Sequence, residues 1–570
     1  MNVVNVVNVV NAVNPVNPVN PMTPVSPGSP ANPVSIDIRR FPWVKRLAAD
    51  YAYEFSGLAP YFSGNPADRP AWTAAIARTQ AHPRRLQELA RAIRAQQQRR
   101  GAPAAALAAG ERLADARTVA VLTGQQAGLL GGPVYTLLKS ITALKLADQV
   151  SRDHGVPVVA VFWIEAEDHD WDEVRSCTVL DADLTCRTVA LPPRAGGDAV
   201  PVAAIALDDQ IESVLDELER ILPATEFRAG LLGDLRAAYT PGRGMAEAFG
   251  RWVERVLGER GLIVYDASDP ETKGAVSEVF ARELSTPGHT TKAAASAGAN
   301  LVADGYHSQV QTQDDGPALF RLDGARRAIR HEDGHFVVGD RSYPAAALVQ
   351  EAAERPAGFS PSVLLRPIVQ DAIFPTICYV AGPSELAYLG QLRGVYEHFG
   401  IPMPLMYPRA TATLVDSAAS RFLSKYHLRL ESLQPQDEGA LNALLETQIP
   451  PEVEGAFAAA ARSLQAETTR VAGALRALDP TLEAAARTTF GRMQHDLENL
   501  HGKTIQAAKR RDETLRRQFL RTRALAFPGG HAQERTVGFV SFLNQYGQAL
   551  VERLWDALPI EMGQHWVITI

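Results

Sequence analysis

The stretch Thr118-Val119-Ala120-Val121-Leu122-Thr123-Gly124-Gln125-Gln126-Ala127-Gly128-Leu129-Leu130-Gly131-Gly132-Pro133 sets the architecture. Its first five residues form a short apolar run rich in β-branched side chains, the pattern of a buried parallel strand. A glycine-rich loop follows. Pro133 suits the first turn of a helix, where its missing N–H is harmless. Val134, Leu137, Leu138, Ile141 and Leu144 then mark one apolar helical face, with Lys139 and Lys145 off that stripe. Residues 156–164 are a second continuous apolar run, and Glu165-Ala166-Glu167-Asp168-His169-Asp170-Trp171-Asp172-Glu173 follows it. This is a strand–loop–helix–strand unit with both loops at one end of a parallel sheet. Open α/β sheets bind ligands at that end.

Upstream, residues 36–117 read as mostly helical, and Phe41, Trp43, Tyr51, Phe55, Tyr61 and Phe62 as core packing. Downstream, residues 175–260 depart from the core rhythm. They hold a hairpin-like alternation over 177–191 and helices near 211–222 and 242–257, and read as an insertion. Residues 261–284 return to the core with a strand at 261–265. A second insertion spans 285–355, with short hairpin-like runs and Gly305-Tyr306-His307. The second half of the core, 356–430, is expected to hold strands at 362–365, 376–380 and 402–406. Ala381-Gly382-Pro383-Ser384-Glu385 opens a helix, with proline and a carboxylate in its first turn. Residues 431–525 keep a 3–4 apolar spacing broken at Asp479-Pro480, the pattern of an antiparallel helical hairpin with coiled-coil packing. Residues 526–570 are expected to fold back on the core.

A chain of 570 residues exceeds one simple core, and 46% apolar with 21% charged residues is ordinary for a globular protein. The formal net charge of −7 argues against a general nucleic-acid binder. Cys177, Cys186 and Cys378 form neither a disulfide framework nor a zinc spacing, which fits a reducing cytoplasm. No apolar run reaches the roughly 18 residues of a membrane span. Residues 1–35 repeat Asn-Val-Val and Asn-Pro-Val without charge through residue 35, and read as a disordered tail of polyproline character.

Three clusters carry chemistry. The glycine-rich loop before a helix is either an anion site or a tight structural turn. It is neither a Walker A loop nor a dinucleotide fingerprint, since the lysine and the glycine spacing are missing. Gln125 and Gln126 add two amides that can orient a polar ligand. The second loop packs six carboxylates and His169 into nine residues, a cluster that repels itself unless it meets solvent, a cation, a metal or an ammonium group. Asp168, His169 and Asp170 are the metal candidates there, although adjacent residues rarely all face one ion. His169 is an acid/base candidate. Arg366, Gln370 and Asp371 put a cation and two polar groups at another strand end. Arg366 either grips a carboxylate or pairs internally with Asp371 or the acidic loop. Tyr306 and His307 are a lid or a structural pair.

Thr123-Gly124-Gln125-Gln126, Glu167-Asp168-His169-Asp170, Gly305-Tyr306-His307, Arg366-Pro367 with Gln370-Asp371, Gly382-Pro383 with Glu385, and Gln533-Glu534-Arg535 occur together in this order. The set resembles the bacillithiol-biosynthesis cysteine ligase family (BshC), over residues 39–570. Glu165, Ala381 and Ser384 depart from the family pattern, where smaller residues stand. The resemblance implies a Rossmann-like parallel-sheet core with two connecting-peptide insertions and a C-terminal antiparallel coiled coil. It also implies a homodimer through that arm, and amide-bond formation between cysteine and glucosaminyl-malate in the last step of bacillithiol biosynthesis. His169, Asp168 and Asp170 are then the catalytic candidates. Thr123, Gly124, Gln125, Gln126, Glu167, Arg366, Gln370, Asp371, Gly382 and Glu385 are the substrate-binding ones. The acidic loop would receive an ammonium group, Arg366 a carboxylate, and His169 the amine proton. ATP is the natural activating partner, with no standard motif to place it, and a resident metal is not expected. Two other readings are a metal-dependent hydrolase built on Asp168, His169 and Asp170, and a non-enzymatic coiled-coil scaffold.

Overall fold

Val119–Gln126 (β1) stands at the centre of a five-stranded parallel sheet. The other strands are Val158–Glu165 (β2), Ile263–Asp266 (β3), Thr376–Ala381 (β4) and Leu405–Pro408 (β5), in the spatial order β5-β4-β1-β2-β3. The computed structural model describes residues 33–194, 199–310, 316–447, 451–479, 481–511 and 513–570. The tail expected over residues 1–35 lies outside them up to residue 32, and so does Pro480. Val34 and Ser35 belong instead to a strand, Val34–Asp37, that pairs antiparallel with Gln564–Thr569.

The register runs from Val119 opposite Val158 to Gln126 opposite Glu165, so the two sequence clusters end side by side. β1 and β2 are buried almost throughout because helices cover both faces, and continuous apolar strands tolerate nothing else. The helix Val134–His154 (α1) follows β1 and stops at Gly155, whose φ of 64° is a left-handed cap. Gly124 is required by packing, since a Cβ there would lie 2.8 Å from the Trp163 carbonyl oxygen. Strand order reverses between β1 and β4. That reversal is the topological switch point at which α/β sheets open a ligand crevice.

Residues 362–365, expected as a core strand, are a helical turn. The strand lies just before, at Phe359–Pro361, and pairs antiparallel with Leu319–Leu322. The Arg366 N–H reaches the Ser362 carbonyl at 2.8 Å and opens the helix Arg366–Ile373 (α2), with Pro367 in its first turn. Arg366, Gln370 and Asp371 therefore ride on a helix and not on a strand end. Phe359–Pro361 is the edge of a five-stranded antiparallel sheet that also holds Leu319–Leu322, Arg326–Glu332, His335–Val338 and Arg341–Pro344. A hairpin, Ser176–Leu180 with Cys186–Ala190, precedes the helices Gln210–Ile221, Arg228–Ala238 and Met245–Leu257.

The chain divides into two units, one ending at Leu414 and completed by Gln533–Ile570, the other Val415–Ala532. Within the second, Pro451–Leu478 and Thr481–Arg511 form an antiparallel helical pair: Glu454 meets His501 at 2.9 Å and Arg476 meets Glu483 at 3.6 Å. Among the described residues no helix is long and apolar enough to cross a membrane.

Candidate active site

The glycine-rich loop is closed by protein. Gly131 and Gly132 have φ of 93° and 77°, and a Cβ on Gly131 would lie 2.4 Å from the Phe539 ring and 2.9 Å from Trp252. The Trp252 indole N–H donates to the Leu130 carbonyl at 3.0 Å. The N–H groups of Gly128, Gly131 and Gly132 bond within the loop, and that of Val134 bonds the Val537 carbonyl at 2.8 Å. An anion site needs free N–H groups, so the loop is a structural turn that fixes how β1 enters α1.

Above that turn, β1 delivers two amides to opposite sides. Gln125 donates from Nε2 to the Tyr135 hydroxyl at 3.0 Å, and its Oε1 lies 3.4 Å from Lys139 Nζ. Lys139, buried on α1, also donates to the Gly124 carbonyl at 2.8 Å and pairs with Glu385 at 2.5 Å. Glu385 is fully engaged. Tyr379 donates to its Oε1 at 2.9 Å, and the Gly382 N–H donates to its Oε2 at 2.6 Å, closing the first turn of the helix Pro383–Leu389. Burial works to raise this carboxyl, but Lys139 and these donors hold it below its usual value. Thr123 turns inward, its hydroxyl donating to the Val380 carbonyl at 3.0 Å. Burial pushes the Tyr135 hydroxyl up to about 12.

On the other side, Gln126 donates to Asp168 Oδ2 at 2.8 Å. Cations from three distant elements meet the acidic loop and offset part of its charge. Lys273 pairs with Glu167 at 2.6 Å with both side chains buried, Arg326 approaches Asp168 Oδ1 at 3.3 Å, and Arg366 lies 3.9 Å from Glu165. Arg175 takes Asp172 at 2.6 Å. Asp170 caps the short helix Trp171–Val174 by accepting the Glu173 N–H at 3.1 Å. The loop backbone is pinned by Val202 and Ala203, whose N–H groups reach the Asp168 and Ala166 carbonyls at 2.8 Å. Burial would raise the Asp168 carboxyl, yet His169, Arg326 and Gln126 hold it well below the usual range. Burial raises Glu165 despite Arg366.

Asp168, His169 and Asp170 do not converge. Asp170 faces its own helix turn, and among the described residues no three His, Cys, Asp or Glu side chains are grouped to hold a metal. Among the described residues the hydrolase reading has no ligand set.

Arg366 is 8% exposed. It donates from Nη1 to Gln370 Oε1 at 2.9 Å and from Nη2 to the Tyr388 hydroxyl at 3.3 Å, with Tyr379 under its plane at 5.5 Å. A guanidinium has five N–H groups. Three of them lack a hydrogen-bond partner among the described residues, with Glu165 the nearest carboxylate. Gln370 in turn donates to Asp371 at 2.9 Å, and Tyr396 donates to Asp371 at 2.5 Å. Gln370 and Asp371, each 1% exposed, thus sit behind Arg366 and orient it.

Tyr135, Lys139, Lys273, Arg326, Tyr379 and Tyr388 were not singled out by sequence reasoning. Lys139 left a trace, as a cation off the apolar stripe of its helix. Arg326 left none, being one of several arginines on an ordinary strand. Tyr306 and His307 lie elsewhere, the Tyr306 hydroxyl donating to Asp50 at 3.1 Å. Gln533 and Glu534 are buried clamps. Glu534 pairs with Arg409 at 2.6 Å, and Gln533 both accepts the Leu414 N–H and donates to the Leu414 carbonyl at 2.8 Å. Burial pushes the Cys177 thiol up to about 12 and raises that of Cys378 as well, and both side chains are buried away from the site.

Fold and site together define a Rossmann-like α/β protein with a charged side-chain cluster at its switch point and a helical coiled-coil domain after it. Residues 34–410 match the family model "Bacillithiol biosynthesis BshC, N-terminal Rossmann-like domain", and residues 412–570 match "Bacillithiol biosynthesis BshC, C-terminal coiled-coil domain". The chain belongs to the BshC family. Similar curated proteins carry the name "Putative cysteine ligase BshC". That of Salinibacter ruber is 33% identical over 92% of this chain and 96% of its own length. That of Symbiobacterium thermophilum is 34% identical over 81% and 86%, and that of Koribacter versatilis 31% identical over 92% and 97%.

Proposed function

We propose that this chain is a cysteine ligase that joins cysteine to the amine of glucosaminyl-malate through an amide bond, the last step of bacillithiol biosynthesis. The observation that carries the reading is Arg366. It is buried and oriented by Gln370 and Tyr388, and it keeps three N–H groups without a hydrogen-bond partner among the described residues. Glu165 Oε2 lies 3.9 Å from Nε, and a substrate carboxylate would take the remaining N–H groups as a bidentate pair. The names of the relatives support cysteine as a substrate. Gln126 and the Asp168–His169 pair stand at the same strand ends, and Glu165 links that loop to Arg366. The acidic loop, with four of its six carboxylates paired to cations, makes a preorganised polar wall.

Condensing a carboxylate with an amine releases one oxygen from the carboxyl group. ATP is the proposed co-substrate, its phosphate accepting that oxygen. Its phosphates would not sit at the glycine-rich loop, where the N–H groups of Gly128, Gly131, Gly132 and Val134 are taken. Homodimerisation through the helical arm is part of the proposal. Leu482, Met493 and Leu500 are exposed at spacings of eleven and seven residues, which places them on one helical face.

The test incubates purified protein with cysteine, glucosaminyl-malate and ATP and reads the amide product by mass spectrometry. Arg366→Lys is expected to lower kcat/KM about a hundredfold, since lysine cannot reproduce a bidentate contact. His169→Ala and Asp168→Ala should each lower it at least about tenfold. Undiminished turnover in those variants would remove their assigned roles, and no amide under any combination of substrates would remove the ligase reading.

A further inference from the structure

Arg326 opens the strand Arg326–Glu332 of the antiparallel sheet and reaches into the acidic loop. Its side chain is 9% exposed and held on three sides. The guanidinium lies 4.0 Å over the Phe320 ring, Nε donates to Ser360 Oγ at 3.1 Å, and Nη2 donates to the Pro361 carbonyl at 2.7 Å. Those anchors leave Nη1 aimed at two atoms, Asp168 Oδ1 and His169 Nδ1, each at 3.3 Å.

A guanidinium only donates and stays protonated. Its contact with Nδ1 is a hydrogen bond only when Nδ1 offers a lone pair. A neutral imidazole carries one proton, which must then sit on Nε2. Asp168 Oδ1, 3.4 Å from the same Nδ1, would favour the opposite tautomer. That contact is the longer one, and Oδ1 already accepts the His169 main-chain N–H at 2.7 Å as well as Arg326. Oδ2 is occupied by Gln126. The ring is 41% exposed, and Nε2 has no hydrogen-bond partner among the described residues.

We propose that Arg326 fixes His169 as the Nε2–H tautomer, so that the imidazole meets its ligand as a hydrogen-bond donor to an oxygen and not as a proton acceptor. The catalytic consequence rests on the ligase reading. His169 would donate to the carbonyl oxygen on which negative charge builds during amide formation, and the amine proton would pass to solvent water. No proton moves onto this ring in that step. Arg326 is a positioning residue, and it ties a residue of the antiparallel sheet to the chemistry of the parallel one.

The experiment labels full-length protein with [15N]histidine and identifies the His169 signals by their loss in His169→Gln. Spectra are taken at about pH 8.5, where an ordinary imidazole is neutral. The expected result is an unprotonated Nδ1 and a protonated Nε2 in the wild type. In Arg326→Met the population should shift toward Nδ1–H, donated to Asp168. A protonated Nδ1 in the wild type overturns the proposal, and so does an unchanged tautomer in Arg326→Met. The spectra need no substrate, so they decide the tautomer even if the ligase reading fails. In the ligase assay, Arg326→Met should lower kcat about tenfold more than it changes KM, as loss of an oriented donor would. An unchanged kcat overturns the catalytic consequence.

Discussion

The loop after β1 and the loop after β2 end side by side, and the protein treats them in opposite ways. The glycine-rich loop resembles an anion cradle and is sealed: Phe539 and Trp252 fill its concave side, and Val537 takes the helix N–H. The acidic loop resembles a bare anionic patch and is neutralised by Lys273, Arg326 and Arg366, three cations far away in the chain. Glycine creates room for close approach, and the nearest apolar side chain of the fold can fill that room as readily as a ligand. A carboxylate cluster demands counter-charge, and the fold can supply that too. Among the described residues, what remains for a ligand is the part of the Arg366 fork not taken by Gln370, Tyr388 and the Glu165 pairing, together with the open Nε2 of His169.

Several substitutions break or sharpen this contrast. The largest effect is expected from Lys273→Met, which strands the buried Glu167 carboxylate and should cost about 4 kcal/mol of unfolding free energy in urea. Adding Glu167→Gln to it should recover most of that loss. A single variant as stable as the wild type would show that the acidic loop does not depend on its cations. Gly131→Ala is next. Positive φ and the clash with Phe539 together predict about 3 kcal/mol of destabilisation, while substrate affinity of the folded fraction stays unchanged. Weakened binding at constant stability would return the loop to the ligand.

Asp168 gives a pH signature. Its carboxyl is held below the usual range in the folded state, so its contribution to stability is complete above the unfolded value near about 3.9 and fades as pH falls toward the folded value. Asp168→Asn should flatten the stability–pH curve below about pH 4, read by urea titrations at stepped pH. Identical slopes would mean the contacts with Gln126 and Arg326 stabilise nothing. The smallest effect belongs to Asp170→Ala. Loss of one helix cap predicts about 1 kcal/mol and little change in turnover. A collapse of kcat instead would put Asp170 in the chemistry.

How far the site was legible varies by residue. Residues 118–122 and 156–164 announce their strands because burial on both faces requires unbroken apolar runs. Residues 362–365 misled because a short apolar run does not distinguish strand from helical turn, and the hydrogen bond from Arg366 to Ser362 decided it. Gln126, Asp168 and His169 were visible as strand-end polar groups. Arg326 was not, since its partners lie 158 and 157 residues away.

The sequence by itself determined the parallel core, the switch-point position of its polar loops and the helical arm, because periodicity, glycine, proline and charge spacing act over a few residues. It also showed part of what arrives there, Gln126, Asp168 and His169 among them. Only the tertiary structure decided which of them stay available. Lys139 closes Glu385, Lys273 closes Glu167, and Phe539 closes the glycine turn, while Arg366 stays open. The physical reason is that pairing energy at a buried charge depends on distance in space, and local spacing along the chain says nothing about which cation will come within 3 Å.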